Sequence, residues 1–249
     1  MISAGTNDPD EKDILVLLPG MDGTGVLFAP LLGELDPRIS PWVVPYPADE
    51  PLSYDELLPL VRRALPSGEP FFLLAESFSG PLAIKLASEA PGNLRALVLV
   101  STFIKNPLPW LPSCARLAAV TPVFHAARHF ILLKALLSGY GSPGLNALLR
   151  SAHGDVEARV MAKRAREILA VDVGRELKSV RAPIYFIGGE SDRVVPSKNL
   201  REITAVRPDI VVKKIPGPHL VLQVNPARAA LEIGRILSRE KTFPPSAPS

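Results

Sequence analysis

The stretch Phe71-Phe72-Leu73-Leu74-Ala75-Glu76-Ser77-Phe78-Ser79-Gly80 decides how the chain is read. Phe71 to Ala75 is a short apolar run with the pattern of a strand buried on both faces. Phe78 to Ala90 alternates apolar and polar residues at helical spacing and stops at Pro91-Gly92. Pro81 fits only the first turn of that helix, where a missing N–H costs nothing. A serine therefore stands where a strand turns sharply into a helix. Such a turn lifts the side chain clear of the backbone. It also sets the next N–H at a helix N-terminus, which favours negative charge. The usual small-residue pattern is G-x-S-x-G. Here Ala75 and Ser79, the smallest substitutes, stand in the glycine positions. Ser142 and Ser191 lie in similar surroundings, but neither has both an apolar strand before it and a helix after it.

Working outward, three more runs predict buried parallel strands: Ile14 to Leu18, Ala96 to Val100 and Ile184 to Ile187. Trp42 to Val44 and Ile210 to Ile215 are weaker candidates. Ser53 and Glu56 have capping-box spacing and open a helix that runs to Leu65. Asn225-Pro226 starts another over Ala227 to Glu240. Strands alternating with helices predict a mostly parallel sheet covered on both faces. Between Phe103 and about Val180 the alternation stops, and apolar helical segments such as Ala126 to Leu137 take over. An insertion of about 75 residues is far longer than an ordinary connection, and it is expected to form a helical cap over the carboxyl edge of the sheet. The expected division is a core of residues 1–102 and 181–249, a cap of 103–180 and a disordered tail from 243.

Composition sets the outer limits. Of 249 residues, 47% are apolar and 21% charged, which excludes wholesale disorder. The net charge of +3 is too small and scattered for a nucleic-acid footprint. The single cysteine, Cys114, excludes an internal disulfide framework and a cysteine-built zinc site. No apolar run approaches the roughly 18 residues of a membrane span. Asp8, Asp10, Glu11 and Asp13 argue against a signal peptide, so a cytoplasmic location is expected. The 27 prolines sit between apolar runs, where they stiffen turns.

Two further loops carry groups that complement Ser77. Asp192 follows the Ile184 run in Gly188-Gly189-Glu190-Ser191-Asp192, where it could orient an imidazole or cap a turn. His219 follows the last strand candidate in Pro216-Gly217-Pro218-His219-Leu220. A serine hydroxyl needs an adjacent base, and that base needs a third group to hold its tautomer. Ser, Asp and His occur in that order, each after a strand. The first strand leads into Pro19-Gly20-Met21-Asp22-Gly23-Thr24-Gly25. This loop has neither the G-x-G-x-x-G order nor the Gly-Lys-Ser/Thr of phosphate loops. Its Met21 N–H, with the Phe78 N–H, is a candidate oxyanion hole.

These motifs together resemble the α/β-hydrolase superfamily over roughly Asp13 to Glu240. The loop and the Glu-Ser-Phe-Ser-Gly turn are similar to those of small bacterial esterases and of the hydrolase portion of plant phytyl ester synthases. The full family form implies an eight-stranded sheet. With only 13 residues before Ile14, six parallel strands without the opening hairpin are expected. The resemblance implies a cofactor-free and metal-free serine esterase for short- or medium-chain acyl groups, acting on a small-molecule ester. Ser77, His219 and Asp192 would form its triad. An acyltransferase or thioesterase with the same triad is the alternative, although no His-x-x-x-x-Asp acyltransferase motif is present. A non-enzymatic binding protein is the third reading. Gly20, Asp22, Trp110 and Phe124 are candidate substrate contacts, with Asp22 also suited to tying down its own loop. Glu76 is expected to form a buried hydrogen bond beneath the turn. His125 and His129 lack a third ligand at helical spacing. Arg159, Lys163, Arg164 and Arg166 are expected on a solvated helix face.

Overall fold

The computed structural model describes residues 12–107, 109, 137 and 139–241. Six strands form one sheet: β1 (Asp13–Leu18), β2 (Ile39–Val43), β3 (Phe71–Glu76), β4 (Leu94–Val100), β5 (Ile184–Gly189) and β6 (Val211–Ile215). Every pairing is parallel, in the order β2-β1-β3-β4-β5-β6. The central strands are continuous apolar runs because both their faces are covered. Phe71 to Glu76 are all buried. The edge strands are the ones whose sequence signal was weak. Trp42 on β2 is 44% exposed and Val212 on β6 is 37% exposed. β2 starts at Ile39, upstream of the expected Trp42, and includes Pro41. A proline is tolerated there because an edge strand has one side free of partners.

The helices lie on both faces. They are α1 (Ala29–Leu32), preceded by a 3-10 turn at Val26–Phe28, then α2 (Tyr54–Ala64) and α3 (Ser79–Ser88). There follow α4 (Pro143–Gly154), α5 (Ala158–Ala170), α6 (Gly174–Ser179), α7 (Ser197–Val206), α8 (Val221–Val224) and α9 (Pro226–Lys241). The capping box at Ser53 and Glu56 is present in full. One core layer packs Val16, Leu73, Leu82, Leu97 and Phe186 between the sheet and α2, α3 and α7. The other packs Leu15, Leu74, Val98, Ile233 and Leu237 between the sheet and α1 and α9. The chain winds from β1 to β2 in one direction and from β3 onward in the other. That reversal opens a crevice between the carboxyl ends of β1 and β3, where open α/β sheets bind ligands.

Three described helices come from the long insertion. The Ser142 Oγ accepts the Leu145 N–H at 3.2 Å, so this serine is the N-cap of α4. Leu149 and Ala152 of α4 pack on Leu27, just past the β1 loop, and on Leu220, beside His219. Val160 and Met161 of α5, with Val156, pack on Met21 and Ala48. Trp110, Cys114, Phe124, His125, His129 and most of Ala126 to Leu137 lie outside the described residues, as does the tail from 242. Among the described residues, no helix is long and apolar enough to cross a membrane.

Candidate active site

Ser77 sits one residue past the end of β3 with φ at 51°. That left-handed conformation is uncommon for a residue with a Cβ and marks a turn held by its surroundings. Several bonds hold it. The Ser77 N–H donates to Val100 O at 2.9 Å, the Gly80 N–H donates to Ser77 O at 3.1 Å, and Thr102 Oγ1 donates to Ser77 O at 2.5 Å. Gly80 is required by this packing. A Cβ there would lie 2.0 Å from Thr102 Oγ1. The sequence pattern pointed to position 79 for the second glycine, whereas the close approach falls one residue later.

The loop after β6 brings His219 to Ser77. His219 Nε2 lies 2.9 Å from Ser77 Oγ, and His219 Nδ1 lies 2.9 Å from Asp192 Oδ2. Asp192 makes contacts on both sides of its carboxylate. Its Oδ1 accepts the Val194 and Val195 N–H groups at 2.8 and 2.9 Å, which caps the turn, while Oδ2 faces the imidazole. Gly189 makes the approach possible, because a Cβ there would meet Pro218 O at 2.0 Å. His219 is 1% exposed. Burial pulls its pKa down, but the Asp192 charge and hydrogen bond and the Glu76 charge outweigh burial, and the net shift is upward. Burial pushes the Asp192 carboxyl up, and its His219 and backbone partners reverse this to a net lowering.

Glu76, the residue before the turn, is buried. Both its oxygens accept from Gln223 Nε2, at 3.1 and 3.2 Å. Burial raises its pKa to about 7, against the opposing pull of Gln223 and His219. The Gln223 partner was not evident in the sequence.

Across the crevice, the loop from Pro19 to Gly25 is pinned residue by residue. Asp22 is buried, and its Oδ2 accepts the Thr24 N–H at 2.9 Å and the Thr24 hydroxyl at 2.6 Å. Ser79 Oγ donates to Pro19 O. With its one proton so used, Ser79 accepts from Tyr46 OH at 2.5 Å. Ser79 thus ties the serine turn to the β1 loop, which a glycine could not do. Phe78 is buried, stacks on Tyr54 with ring centroids 4.7 Å apart, and accepts Tyr54 OH on its carbonyl at 2.7 Å. Among the described residues, the Met21 and Phe78 N–H groups have no acceptor.

One expectation fails. Arg164 is not on a solvated face but 1% exposed, with its guanidinium against the β1 loop. The helical wheel explains why: position 164 follows Val160 by four and Met161 by three, and both are buried. Arg166 is exposed as expected. Among the described residues, no group of three or more His, Cys, Asp or Glu could hold a metal ion.

Comparison with known proteins adds relatives to this geometry. No family model matches the chain. A pimeloyl-[acyl-carrier protein] methyl ester esterase of Xanthomonas campestris pv. campestris is 26% identical over 220 residues, covering 82% of this chain and 86% of that protein. A pyrrolizixenacetamide deacetylase of Xenorhabdus hominickii is 21% identical over 179 residues, covering 69% of this chain and 66% of that protein. Among solved structures, an α/β hydrolase enzyme from a Medee basin deep-sea metagenome library superimposes with a TM-score of 0.74 at 15% identity. The match covers 94% of this chain and 92% of that one. The fold is that of the α/β-hydrolase superfamily. The proteins to which the chain is similar include esterases and other hydrolases. Among the described residues the sheet has six strands, all parallel.

Proposed function

We propose that this α/β hydrolase is a serine hydrolase of carboxylic esters that works through an acyl-enzyme. The contact chain from Ser77 Oγ through His219 to Asp192, mounted on a serine with positive φ, carries the proposal. Ser77 Oγ attacks the ester carbonyl carbon while His219 Nε2 takes the hydroxyl proton. Asp192 holds the Nδ1–H tautomer and stabilises the imidazolium. The bond to the leaving alkoxide breaks as His219 delivers the proton to it, which leaves the acyl group on Ser77. Water then gives a proton to His219 and attacks the acyl carbon. The carboxylic acid departs, and Ser77 Oγ recovers the proton. The Met21 and Phe78 N–H groups, free of acceptors among the described residues, stabilise the oxyanion of both tetrahedral intermediates. No metal or cofactor enters this cycle.

The insertion serves as the cap in this reading. Leu149 of α4, Met161 of α5 and Val156 between them cover the carboxyl edge with apolar side chains. That covering suits short- or medium-chain acyl groups on a small ester. The similarity to an esterase and a deacetylase, both enzymes of acyl groups, supports the same chemistry here.

The deciding experiment is hydrolysis of p-nitrophenyl esters from acetate to palmitate, with Ser77→Ala alongside. The wild type is expected to show an optimum at short or medium chains and to be labelled by a fluorophosphonate. The variant loses about 10⁴-fold or more in kcat and is not labelled. Folded wild type that hydrolyses no ester and takes no label refutes the proposal. Turnover confined to thioesters, or to ester formation with added alcohol, moves the assignment to a thioesterase or an acyltransferase.

A further inference from the structure

The buried guanidinium of Arg164 has no part in the cycle above, yet its bonds converge on the oxyanion loop. Nη1 donates to Met21 O at 2.9 Å and to Asp22 O at 2.7 Å, and Nη2 donates to Pro47 O at 2.9 Å. Cζ lies 5.8 Å from the centroid of the Tyr46 ring. Gly23 leaves space for the group: with φ at 71°, a Cβ there would lie 2.6 Å from Nη1. Among the described residues no carboxylate forms an ion pair with Arg164, so the buried cation is bonded by carbonyls and faced by a ring, with the Asp22 charge acting only at longer range. Such burial is costly. A planar fork of five donors is the side chain able to bridge carbonyls from two segments at once.

The geometry at Met21 shows what this achieves. The carbonyls of five successive residues, Pro19 to Gly23, each accept a hydrogen bond: from Ser79 Oγ, Gly23 N–H, Arg164 for both Met21 and Asp22, and Tyr46 N–H. The Met21 N–H belongs to the peptide plane whose carbonyl is Gly20 O, fixed by Gly23 at 3.0 Å. The next plane carries Met21 O, fixed by Arg164. With both planes held, the two backbone dihedrals of Met21 are set, and so is the direction of its N–H. The Met21 side chain also packs on α5, the helix that carries Arg164. That helix is docked at three other points. Glu157 N–H donates to Ala48 O at 2.9 Å, Arg159 Nη2 donates to Asp49 O at 2.6 Å, and Glu167 accepts the Tyr54 N–H at 3.0 Å.

We propose that Arg164 is a positioning residue for ester hydrolysis: from the insertion, it locks the oxyanion loop with the Met21 N–H presented to the carbonyl that Ser77 attacks. The role rests on the esterase reading. It makes docking of α5 a condition for an assembled oxyanion hole, so the insertion contributes to transition-state stabilisation as well as covering the site.

The test compares Arg164→Ala, Arg164→Lys and, as a control on the same helix, the exposed Arg166→Ala. Four quantities are read: kcat, KM, the melting temperature, and the affinity for a trifluoromethyl ketone, which forms a tetrahedral oxyanion on Ser77. Arg164→Ala is expected to lose about 10²-fold in kcat, with KM changed much less. Ketone affinity should fall by a similar factor, and millimolar guanidine should restore part of kcat. Arg164→Lys should fall between, and Arg166→Ala should match the wild type. A lowered melting temperature with unchanged kcat and ketone affinity would reduce Arg164 to a structural brace and overturn the proposal. So would a kcat loss without weakened ketone binding. If Arg164→Ala does not fold, the same two numbers for Arg164→Lys decide. A wild type that neither hydrolyses esters nor binds the ketone defeats the esterase reading itself, an outcome distinct from a loss confined to the variants.

Discussion

Two turns face each other across the crevice, and they are held in opposite ways. The turn after β3, carrying Ser77, is fixed mainly by backbone and by its nearest strand. Ser77 N–H continues the sheet ladder onto Val100, Gly80 N–H closes the turn, and Thr102 lies directly beneath. The loop after β1, carrying Met21, is fixed by side chains that arrive from far along the sequence. Ser79 is 60 residues from Pro19, and Arg164 is 143 residues from Met21. The positive φ of Ser77 requires stiff local packing. The β1 loop has local bonds of its own, from Thr24 to Asp22 and from Gly23 N–H to Gly20 O, and the imported side chains fix its remaining carbonyls. The difference teaches that half of this site is a property of β3, α3 and the neighbouring end of β4, and half is a property of the assembled fold.

The largest effect should come from breaking the local half. Gly80→Ala places a Cβ 2.0 Å from Thr102 Oγ1, inside a buried contact. Thr102 must move, and its hydrogen bond to Ser77 O goes with it. Overpacking of this kind costs about 1–3 kcal/mol in stability. Displacing the serine by about 1 Å costs about 10²-fold in rate. Thermal melting and p-nitrophenyl ester kinetics check both numbers. A variant that melts and turns over like the wild type would show that close packing at position 80 does not set the turn.

The imported half is tested by restoring the family pattern. Ser79→Gly recreates the second glycine of G-x-S-x-G, so a reading from the pattern alone expects a better enzyme. The structure expects a worse one. The substitution leaves Pro19 O and the buried Tyr46 hydroxyl without their shared partner. An unpaired buried group costs about 1–3 kcal/mol, and a flexible helix-starting glycine adds to that. The expected result is a lower melting temperature and about a tenfold lower kcat at similar KM, as the oxyanion loop loosens. Equal or improved kcat would mean that the Ser79 brace is dispensable.

This contrast also explains what was legible in the sequence. The four inner strands were readable because burial on both faces leaves a continuous apolar run, as in Leu97 to Val100. β2 and β6 were blurred because their outer edges face solvent and admit Pro41, Lys213 and Lys214. Ser77, Asp192 and His219 were readable as candidates because each follows a strand, and strand ends are local features. Gly80 was displaced by one position because the pattern encodes the shape of the turn and not the Thr102 side chain beneath it. Arg164 was misread because charge composition suggests solvent. Its burial is visible only on the helical wheel, in register with Val160 and Met161. Gln223, the partner of Glu76, had no local signal at all, since it is 147 residues away.

The smallest expected effect concerns Glu76, which belongs to the local turn in sequence but to the distant His219 in its electrostatics. Burial lowers the His219 pKa, while Asp192 and Glu76 raise it, and the net shift is upward. In the proposed cycle neutral His219 is the base, so kcat/KM should rise with pH along an acid limb lying above the ordinary histidine midpoint. Glu76 carries its charge only near and above pH 7, where it helps hold the imidazolium, so in Glu76→Gln the top of the limb should move slightly to lower pH while the plateau rate stays nearly constant. The same variant has a stability signature with a fixed sign. Glu76 ionises near its ordinary value of 4.5 in the unfolded chain and at about 7 in the folded one. Between those values the folded state keeps a proton that the unfolded state has released, so wild-type stability should fall as pH rises through the window. Glu76→Gln should flatten that slope, which denaturant unfolding from pH 4 to 8 would measure. An unmoved acid limb together with an unchanged slope would mean that the Glu76 carboxyl neither faces His219 nor stays protonated near neutrality. The turn would then be a purely steric device, and the His219 basicity would be set by Asp192 against burial alone.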